Sequence, residues 1–356
     1  MIRLSPDDFS EMMKSRLAAS RTLFSVQYAI TYRCNVACVH CYAEDADAGA
    51  PPELTVEDVR GWFRQFAAAG CLHCTVTGGE PLSRPDFEGL WTAIAEQGVR
   101  RLLFTNATLA DARKADFLKS LPPDWIEVTI LGADAATHDA LTRVRGSFEA
   151  ALSGIRALER AGLRVRVKTI AMRGNRHQIG AIRQLAQSLG DGSFRFDGQL
   201  MGAFKGGIDM DALRIPPAEL AELELASGDS AMETWCRSVD RLAGFERKSL
   251  YGCGAARSSA YLSPWGDLTP CVSTPHLAYP LRRMTVAEAW SRMENDVCNR
   301  ALPADHPCRG CPSMAFCQNC PAVARLDAGD ELGLSSYRCA LAKARETLYN
   351  ATLKSR

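Results

Sequence analysis

The feature that most constrains this 356-residue chain is a run of three cysteines, Cys34, Cys38 and Cys41, with C-x3-C-x2-C spacing. The run directly follows an apolar stretch, Phe24 to Ile30, that predicts a β-strand. Three thiolates on one short loop can bind three irons of a [4Fe–4S] cube and leave the fourth iron without a protein ligand. Because such an iron can bind a small molecule, we expect this loop to form the reaction centre.

The first 200 residues alternate predicted strands with predicted helices. After the strand that precedes the cysteines, strands are predicted at 72–77, 101–105, 125–131, 163–170 and 194–199. This order favours an α/β fold with a parallel sheet. Six strand–helix units are too few for a closed eight-stranded barrel. Polar candidates follow the predicted strand ends, where open parallel sheets bind ligands.

Two further segments accompany the cysteine run. Gly78-Gly79-Glu80-Pro81 ends the second predicted strand, and Thr105-Asn106 ends the third. With Cys34, Cys38 and Cys41, these segments resemble the signature of the radical S-adenosylmethionine (SAM) enzymes, in the order typical of that family. The resemblance implies a partial (β/α)6 barrel related to the TIM barrel, a SAM-binding [4Fe–4S] cluster and SAM itself.

The resemblance also implies a set of SAM contacts. The backbone of the Gly78 turn would take the amino group, with Glu80 either accepting from the ammonium or only capping the turn. His40 stands where relatives usually carry an aromatic residue near the adenine, and a solvated charge is the alternative role for both Lys168 and Arg143. The full expected set is Tyr32, His40, Tyr42, Gly78, Gly79, Glu80, Pro81, Thr105, Asn106, Thr129, Arg143 and Lys168.

The cysteine distribution, net charge and apolar pattern limit the compartment and the partners expected for this chain. Five of the fourteen cysteines lie before residue 75 and nine after residue 235, which indicates one metal site at each end of the chain. No secretory signal begins the sequence, so thiols are expected to bind metal and not to form disulfides, in the cytoplasm. The net charge of +1 and the lack of a long apolar run predict no nucleic-acid partner and no membrane span.

A second cysteine pattern begins at residue 253. It resembles the SPASM extension of radical SAM enzymes, although the last gap of its four-cysteine run is two residues and not three. The resemblance implies two auxiliary Fe–S clusters, the outer one bound by Cys308, Cys311, Cys317 and Cys339. The inner one would be bound by Cys253, Cys271 and Cys320. Cys298 or Cys236 could add a fourth ligand, or the inner site could be open to substrate. A structural zinc site is the alternative, and Cys71 and Cys74 are expected to be packed core residues.

We therefore expect four regions. They are an N-terminal helical extension at 1–22 with a helix from Pro6 to Ala19, a radical SAM partial barrel at 23–200, a bridging helical segment at 201–250 and a SPASM domain at 251–356. The last contains a predicted β-hairpin, with Tyr261-Leu262 and Leu268-Thr269 as its arms, and helices.

The resemblance implies reductive cleavage of SAM to a 5′-deoxyadenosyl radical that takes hydrogen from a substrate. The expected activity is a carbon–carbon or thioether crosslink in a ribosomally made peptide, with the auxiliary clusters accepting the second electron. Expected partners are that peptide, a low-potential electron donor such as flavodoxin or ferredoxin, and a separate leader-binding protein, because the N-terminal extension is short. Substrate-facing candidates are Arg195, Asp197 and Tyr261, with an Arg195–Asp197 ion pair as the alternative. The other functions considered are dehydrogenation or epimerisation of a small polar substrate such as an aminosugar, and a non-catalytic metal-binding or electron-transfer protein.

Overall fold

The structure, a computed structural model, describes residues 12, 16, 19–43, 51–202, 208–226, 230–242 and 245–354. The helix predicted from Pro6 to Ala19 lies for the most part outside the described residues. Within the described ranges, no helix combines the length and the apolar character needed to cross a bilayer.

The described chain is built on a nine-stranded sheet with the order β6-β5-β4-β3-β2-β1-β7-β8-β9. The first six strands are parallel, as predicted, and the sheet is not closed. The strands are β1 Ser25–Thr31, β2 His73–Gly78, β3 Arg100–Thr105, β4 Ile126–Thr129, β5 Val165–Ile170, β6 Phe194–Asp197, β7 Ser259–Leu262, β8 Asp267–Thr269 and β9 Tyr279–Pro280. The predicted α/β fold is confirmed.

Helices connect the parallel strands and pack against the sheet. They are α1 Val56–Ala68, α2 Phe87–Ala95, α3 Ala112–Ser120, α4 Ala135–Thr142, α5 Ser147–Arg160, α6 Ile179–Gln187, α7 Met210–Leu213, α8 Pro217–Ala226, α9 Ser230–Leu242, α10 Val286–Met293, α11 Pro321–Ala328 and α12 Ser336–Lys354. The α1 helix shows the pattern of the outer layer, since Phe63 packs on Tyr28 of β1 with ring centroids 5.9 Å apart. Alternate strand residues are thereby left to face the inside of the curved sheet.

Helix α4 was not predicted from the sequence. Its residues lack a strong apolar period, but Asp134 caps it by accepting a hydrogen bond from the Thr137 backbone N–H. The helix fills the long connection between β4 and β5, and its last turn contacts the cysteine loop.

The predicted hairpin is confirmed by the antiparallel pairs Tyr261–Thr269 and Leu262–Leu268. Sequence reasoning placed it in a separate module, but β7 pairs in parallel with β1, with Tyr261 opposite Gln27. The hairpin therefore continues the main sheet. One consequence is that Cys271 lies just past β8, a strand of the same sheet as the strand that leads into Cys34.

Candidate functional site

The cysteine loop leaves the C-terminal end of β1 and rests on the last turn of α4. The Ala37 N–H donates to the Thr142 carbonyl at 3.0 Å, and the Val39 N–H donates to the Leu141 carbonyl at 2.9 Å. These two carbonyls belong to the end of a helix, where backbone acceptors lack partners within the helix. The loop carrying the three thiols is thus fixed by backbone contacts, while the Cys34 and Cys41 side chains stay exposed.

The two glycines after β2 hold the other side of the loop. The Gly79 N–H donates to the Thr31 carbonyl at 2.8 Å, and the Glu80 N–H donates to the Arg33 carbonyl at 2.9 Å. Gly78 has a φ of +130°, and a Cβ at Gly79 would lie 2.2 Å from the Arg33 oxygen. A side chain at either position would push the loop away, so glycine is required for this approach.

Glu80 is fully buried and joins two strand ends. Its Oε1 accepts hydrogen bonds from the Leu82 N–H at 2.9 Å and the Thr105 hydroxyl at 2.7 Å, and its Oε2 accepts from the Asn106 N–H at 2.7 Å. Burial raises the pKa of this carboxyl, although the three hydrogen bonds oppose that shift. The geometry favours the capping role for Glu80 over direct contact with an ammonium group.

The three loop thiols are close enough to influence one another. The Cys34 residue is exposed overall, but partial desolvation of its sulfur raises its pKa to about 11. Burial raises the pKa of Cys38 to about 12, and the charge of Cys41 adds to both shifts. Thiolate ligands must lose their protons to bind metal, and a cationic cluster offsets their mutual repulsion. Among the residues that the structure describes, no three His, Cys, Asp or Glu converge on a single-ion site. A cube bonds each thiolate to a different iron, so this finding concerns single ions and not a [4Fe–4S] cluster.

A cavity of about 340 Å³ lies beside the loop and is called the chamber below. It brings together several residues predicted from the sequence, and its lining includes His40, Tyr42, Lys168, Asp197, Gln199 and Arg338. Burial, assisted by the charge of Lys168, lowers the pKa of His40 to about 4, so this imidazole is neutral near pH 7. Burial also raises the pKa of Tyr42. The chamber therefore presents polar groups of low net charge beside the cysteines.

Glu127 is the functional candidate that sequence reasoning missed. Its buried carboxylate lies 3.3 Å from Lys168 Nζ and 3.0 Å from Arg195 Nη1. The Arg195 ion pair is therefore with Glu127 and not with Asp197, whose Oδ1 accepts from the Gln199 N–H at 3.1 Å. The sequence signal that could have identified Glu127 was its position as a single acid within the apolar β4 segment. A carboxylate buried in such a strand requires a partner.

The remaining predicted residues lie near the C-terminal ends of the strands, where the cysteine loop begins. The Tyr32 and Tyr261 hydroxyls are 2.8 Å apart, which links the cysteine loop to β7. Thr129 ends β4 opposite Lys168 in the β5 register. Arg143 is exposed, with left-handed backbone at the C-terminal end of α4, and Pro81 begins a short 3₁₀ turn.

The C-terminal thiols fall into two sets. Burial raises the pKa of Cys308, and the charges of Cys317, Cys311 and Cys339 add to the shift. In the second set burial raises the pKa of Cys271 to about 11, with contributions from Cys320 and Cys253. These charge interactions link the same thiols that the SPASM resemblance groups together. That the two sets bind clusters stays a prediction.

The other cysteines are packing residues. The buried Cys298 thiol donates to the Ala256 carbonyl at 3.2 Å, and Cys236 packs against an apolar cluster that contains Phe316. Cys71 and Cys74 are buried in the main core, which confirms their predicted role. Neither alternative for a fourth inner ligand is therefore favoured by the structure.

Comparison with known proteins finds a family match in the first half of the chain. Residues 28–187 match the family model described as the Radical SAM superfamily. The chain is 25% identical over 339 residues to an AdoMet-dependent heme synthase of Methanosarcina barkeri, an alignment that covers 88% of this chain and 95% of that relative. It is also 25% identical to the antilisterial bacteriocin subtilosin biosynthesis protein AlbA of Bacillus subtilis, over 70% of this chain and 54% of AlbA.

Other matches are partial or structural. The chain spans 40% to 48% of the length of four further curated relatives that it matches. Its fold is similar to that of Streptococcus suis SuiB bound to precursor peptide SuiA, with a TM-score of 0.66 and 15% identity over 95% of this chain and 82% of that one. At this identity the likeness shows the fold alone.

Proposed function

We propose that this chain, whose residues 28–187 form a radical SAM domain, is an enzyme that oxidises a peptide by removing hydrogen from one of its carbons. The observation that carries the proposal is the position of the three loop thiols. Cys34, Cys38 and Cys41 lie on a loop fixed by α4 and by the Gly78 turn, beside the chamber. This is the arrangement that a cluster with one free iron requires.

The residues that would hold the cofactors can be named. The three loop thiolates would bind a [4Fe–4S] cluster, and the backbone of 78–81 with chamber residues such as His40 and Lys168 would bind SAM. When bound, this pair supplies one-electron reductive cleavage of SAM, which yields a radical able to take hydrogen from carbon. A low-potential protein such as a flavodoxin or ferredoxin is the proposed electron source.

The protein would hold the reacting groups in fixed positions and shield them from water. Glu80 holds the ends of β2 and β3 together beneath the cysteine loop. Glu127 keeps Lys168 and Arg195 in fixed positions on the inner face of the sheet. Preorganised groups of this kind position a reactive species and limit side reactions with water.

A two-electron oxidation also requires a second electron acceptor. One electron leaves the substrate with the hydrogen atom, and the other must leave separately along with a proton when the new bond forms. The two C-terminal thiol sets are the proposed sites of auxiliary Fe–S clusters that accept it. Their grouping into Cys308, Cys311, Cys317 and Cys339, and into Cys253, Cys271 and Cys320, supports this role.

A peptide substrate is supported by two relatives and by the shape of the site. AlbA is named for biosynthesis of the bacteriocin subtilosin, and the SuiB structure holds a precursor peptide. The chamber shares Asp197, Gln199 and Gln318 of its lining with a second cavity of about 460 Å³ that lies along β6. Two neighbouring cavities with a common wall support an extended substrate over a compact one.

The test uses anaerobically reconstituted protein. We expect about twelve irons per chain, given three four-iron clusters, and formation of 5′-deoxyadenosine from SAM with dithionite as reductant. Co-expression with a short reading frame that neighbours the gene should yield a peptide lighter by two hydrogen atoms. Bound zinc without SAM cleavage would contradict the proposal and favour a non-catalytic metal protein.

A second candidate substrate is a carboxylate-bearing tetrapyrrole. The heme synthase of M. barkeri aligns over 95% of its length, and the inner face of the sheet carries Lys168 and Arg195, which could pair with propionate groups. The two cations share Glu127, so only part of their charge remains for a ligand. SAM cleavage stimulated by an iron porphyrin, and not by peptide, would favour this candidate.

A further inference from the structure

Strand β6 forms one edge of the sheet. On its paired side, the Val167 N–H donates to the Ser193 carbonyl and the Ala171 N–H donates to the Asp197 carbonyl. Because backbone groups alternate in direction along a strand, those of Phe194 and Phe196 point to the opposite side. In the described part of the chain no strand pairs with that side. An edge of this kind is a template for another extended chain.

A cavity of about 460 Å³ follows this edge and is called the β6 groove below. One wall is the strand and its continuation, residues 194–199. The facing wall is provided by α9, through Ala231, Thr234 and Trp235. The groove therefore has a strand edge along one side and a helix along the other, with room between them.

The β6 groove leads toward the proposed reaction centre. Asp197, Gln199 and Gln318 line both the groove and the chamber, and the chamber also contains His40, which lies between two of the cluster cysteines. The strand ends at Asp197. Because β6 and β1 run in the same direction, this end lies on the same side of the molecule as the cysteine loop that follows β1. A chain that pairs with β6 is therefore directed to the chamber.

The charge of the groove favours an acidic side chain on its occupant. The lining has three guanidinium groups, on Arg183, Arg195 and Arg345, and two carboxylates, on Asp197 and Glu224, which leaves one positive charge in excess. Arg345 is paired with Glu224 in two hydrogen bonds. Arg195 is paired with Glu127 behind the lining, but Glu127 also pairs with Lys168, so the excess positive charge remains. The Arg183 guanidinium lies 5.5 Å from the centroid of the Phe194 ring, directly beside the strand edge.

From these observations we propose that the β6 groove binds an extended, acidic segment of the peptide substrate by main-chain pairing with β6 and delivers the following residues to the chamber. Added strands gain affinity from backbone hydrogen bonds and specificity from pockets for alternate side chains. The inference rests on the proposed peptide substrate and defines how that substrate is held.

The test measures binding to reconstituted full-length protein, without any chemistry. The probe is a fluorescein-labelled, acetylated Asp-Val-Thr-Val-Asp amide, and its analogue is N-methylated at both valines. We expect saturable binding by fluorescence anisotropy, slower hydrogen exchange of the Phe194 and Phe196 amides, and at least about tenfold weaker binding of the analogue. Ala231→Trp, which fills the groove from α9, should weaken binding by at least about tenfold.

Glu233→Trp is the matched control, because Glu233 is exposed on the same helix outside the groove lining. It should bind the probe as the wild type does. The proposal is overturned if no saturable binding is seen at millimolar peptide, or if the N-methylated analogue binds with equal affinity. It is also overturned if succinate displaces the probe completely, because the groove would then bind only a carboxylate and not the peptide backbone. Failure of SAM cleavage would count against the proposed function alone, since probe binding needs no turnover.

Discussion

The Thr105 hydroxyl donates a hydrogen bond of 2.7 Å to Glu80 Oε1, and this contact ties the end of β3 to the glycine turn after β2. The same carboxylate also accepts from the backbone N–H groups of Leu82 and Asn106. Two of these donors, the Leu82 N–H and the Thr105 hydroxyl, make buried hydrogen bonds to this carboxylate. Glu80 thus joins the ends of β2 and β3 beneath the cysteine loop. It also holds the start of that loop, since its backbone N–H donates to the Arg33 carbonyl.

Glu80→Gln should reduce the free energy of unfolding by about 1–3 kcal/mol, the cost of leaving a buried polar group without a partner. An amide has one acceptor oxygen, so it cannot serve all three donors. Urea denaturation of the purified protein measures the change. Glu57→Gln is the control, because Glu57 is exposed on α1 and its ion pair with Arg60 lies at the surface; a shift within about 0.5 kcal/mol is expected. Equal stability of Glu80→Gln and wild type would refute the structural role.

The strands could be predicted from the sequence because their apolar runs are short and are separated by regular helical segments. The cysteine loop and the Gly78 turn could also be predicted from the sequence, since a close approach of two backbone segments needs glycine whatever residues surround it. The apolar stretch from Phe24 to Ile30 became β1, Ser25–Thr31, with a shift of one residue. These features depend on local composition and spacing.

Features that depend on contacts between distant segments could not be predicted. The pairing of β7 with β1 joins residues more than 200 positions apart, and nothing in the hairpin itself specifies that partner. The Glu127 ion pairs draw on three strands, so the sequence showed an isolated acid without its cations. Helix α4 lacks a strong apolar period, and its contacts are with the distant cysteine loop, so it was not predicted from the sequence.

Cys34→Ala should remove the front cluster while leaving the rest of the protein folded. We expect the iron content to fall by about four per chain, the content of one cube, and SAM binding by equilibrium dialysis to be lost. Cys71→Ala is the matched control, since that thiol is buried in the core and not on the loop; it should keep its iron. An unchanged iron content in Cys34→Ala would contradict the assignment of the loop.

Cys308→Ala and Cys298→Ala separate ligands from packing residues in the C-terminal half. The Cys308 thiol is grouped with three others, so its loss should lower the iron content by up to about four per chain. Cys298 donates to the Ala256 carbonyl, so its replacement should keep the iron and cost about 1 kcal/mol of stability through the lost bond and packing. Iron analysis after anaerobic reconstitution distinguishes the two, and iron loss in Cys298→Ala would identify it as a ligand after all.

Glu127→Gln should destabilise the protein through Lys168 more than through Arg195. The Lys168 side chain is 15% exposed, whereas that of Arg195 is 52% exposed and can be solvated when the carboxylate is removed. A buried cation without a partner is costly, so we expect a loss of about 2 kcal/mol in the free energy of unfolding. Arg195→Gln alone should cost less than about 1 kcal/mol.

The double variant Glu127→Gln with Lys168→Met is the decisive comparison, because it removes the carboxylate and the buried cation together. Its loss should be smaller than the sum of the two single losses by at least about 1 kcal/mol, as is usual for residues in direct contact. Urea unfolding of the four proteins in this cycle gives the coupling energy. Strict additivity would show that Lys168 does not depend on Glu127, and the carboxylate would then serve Arg195 alone.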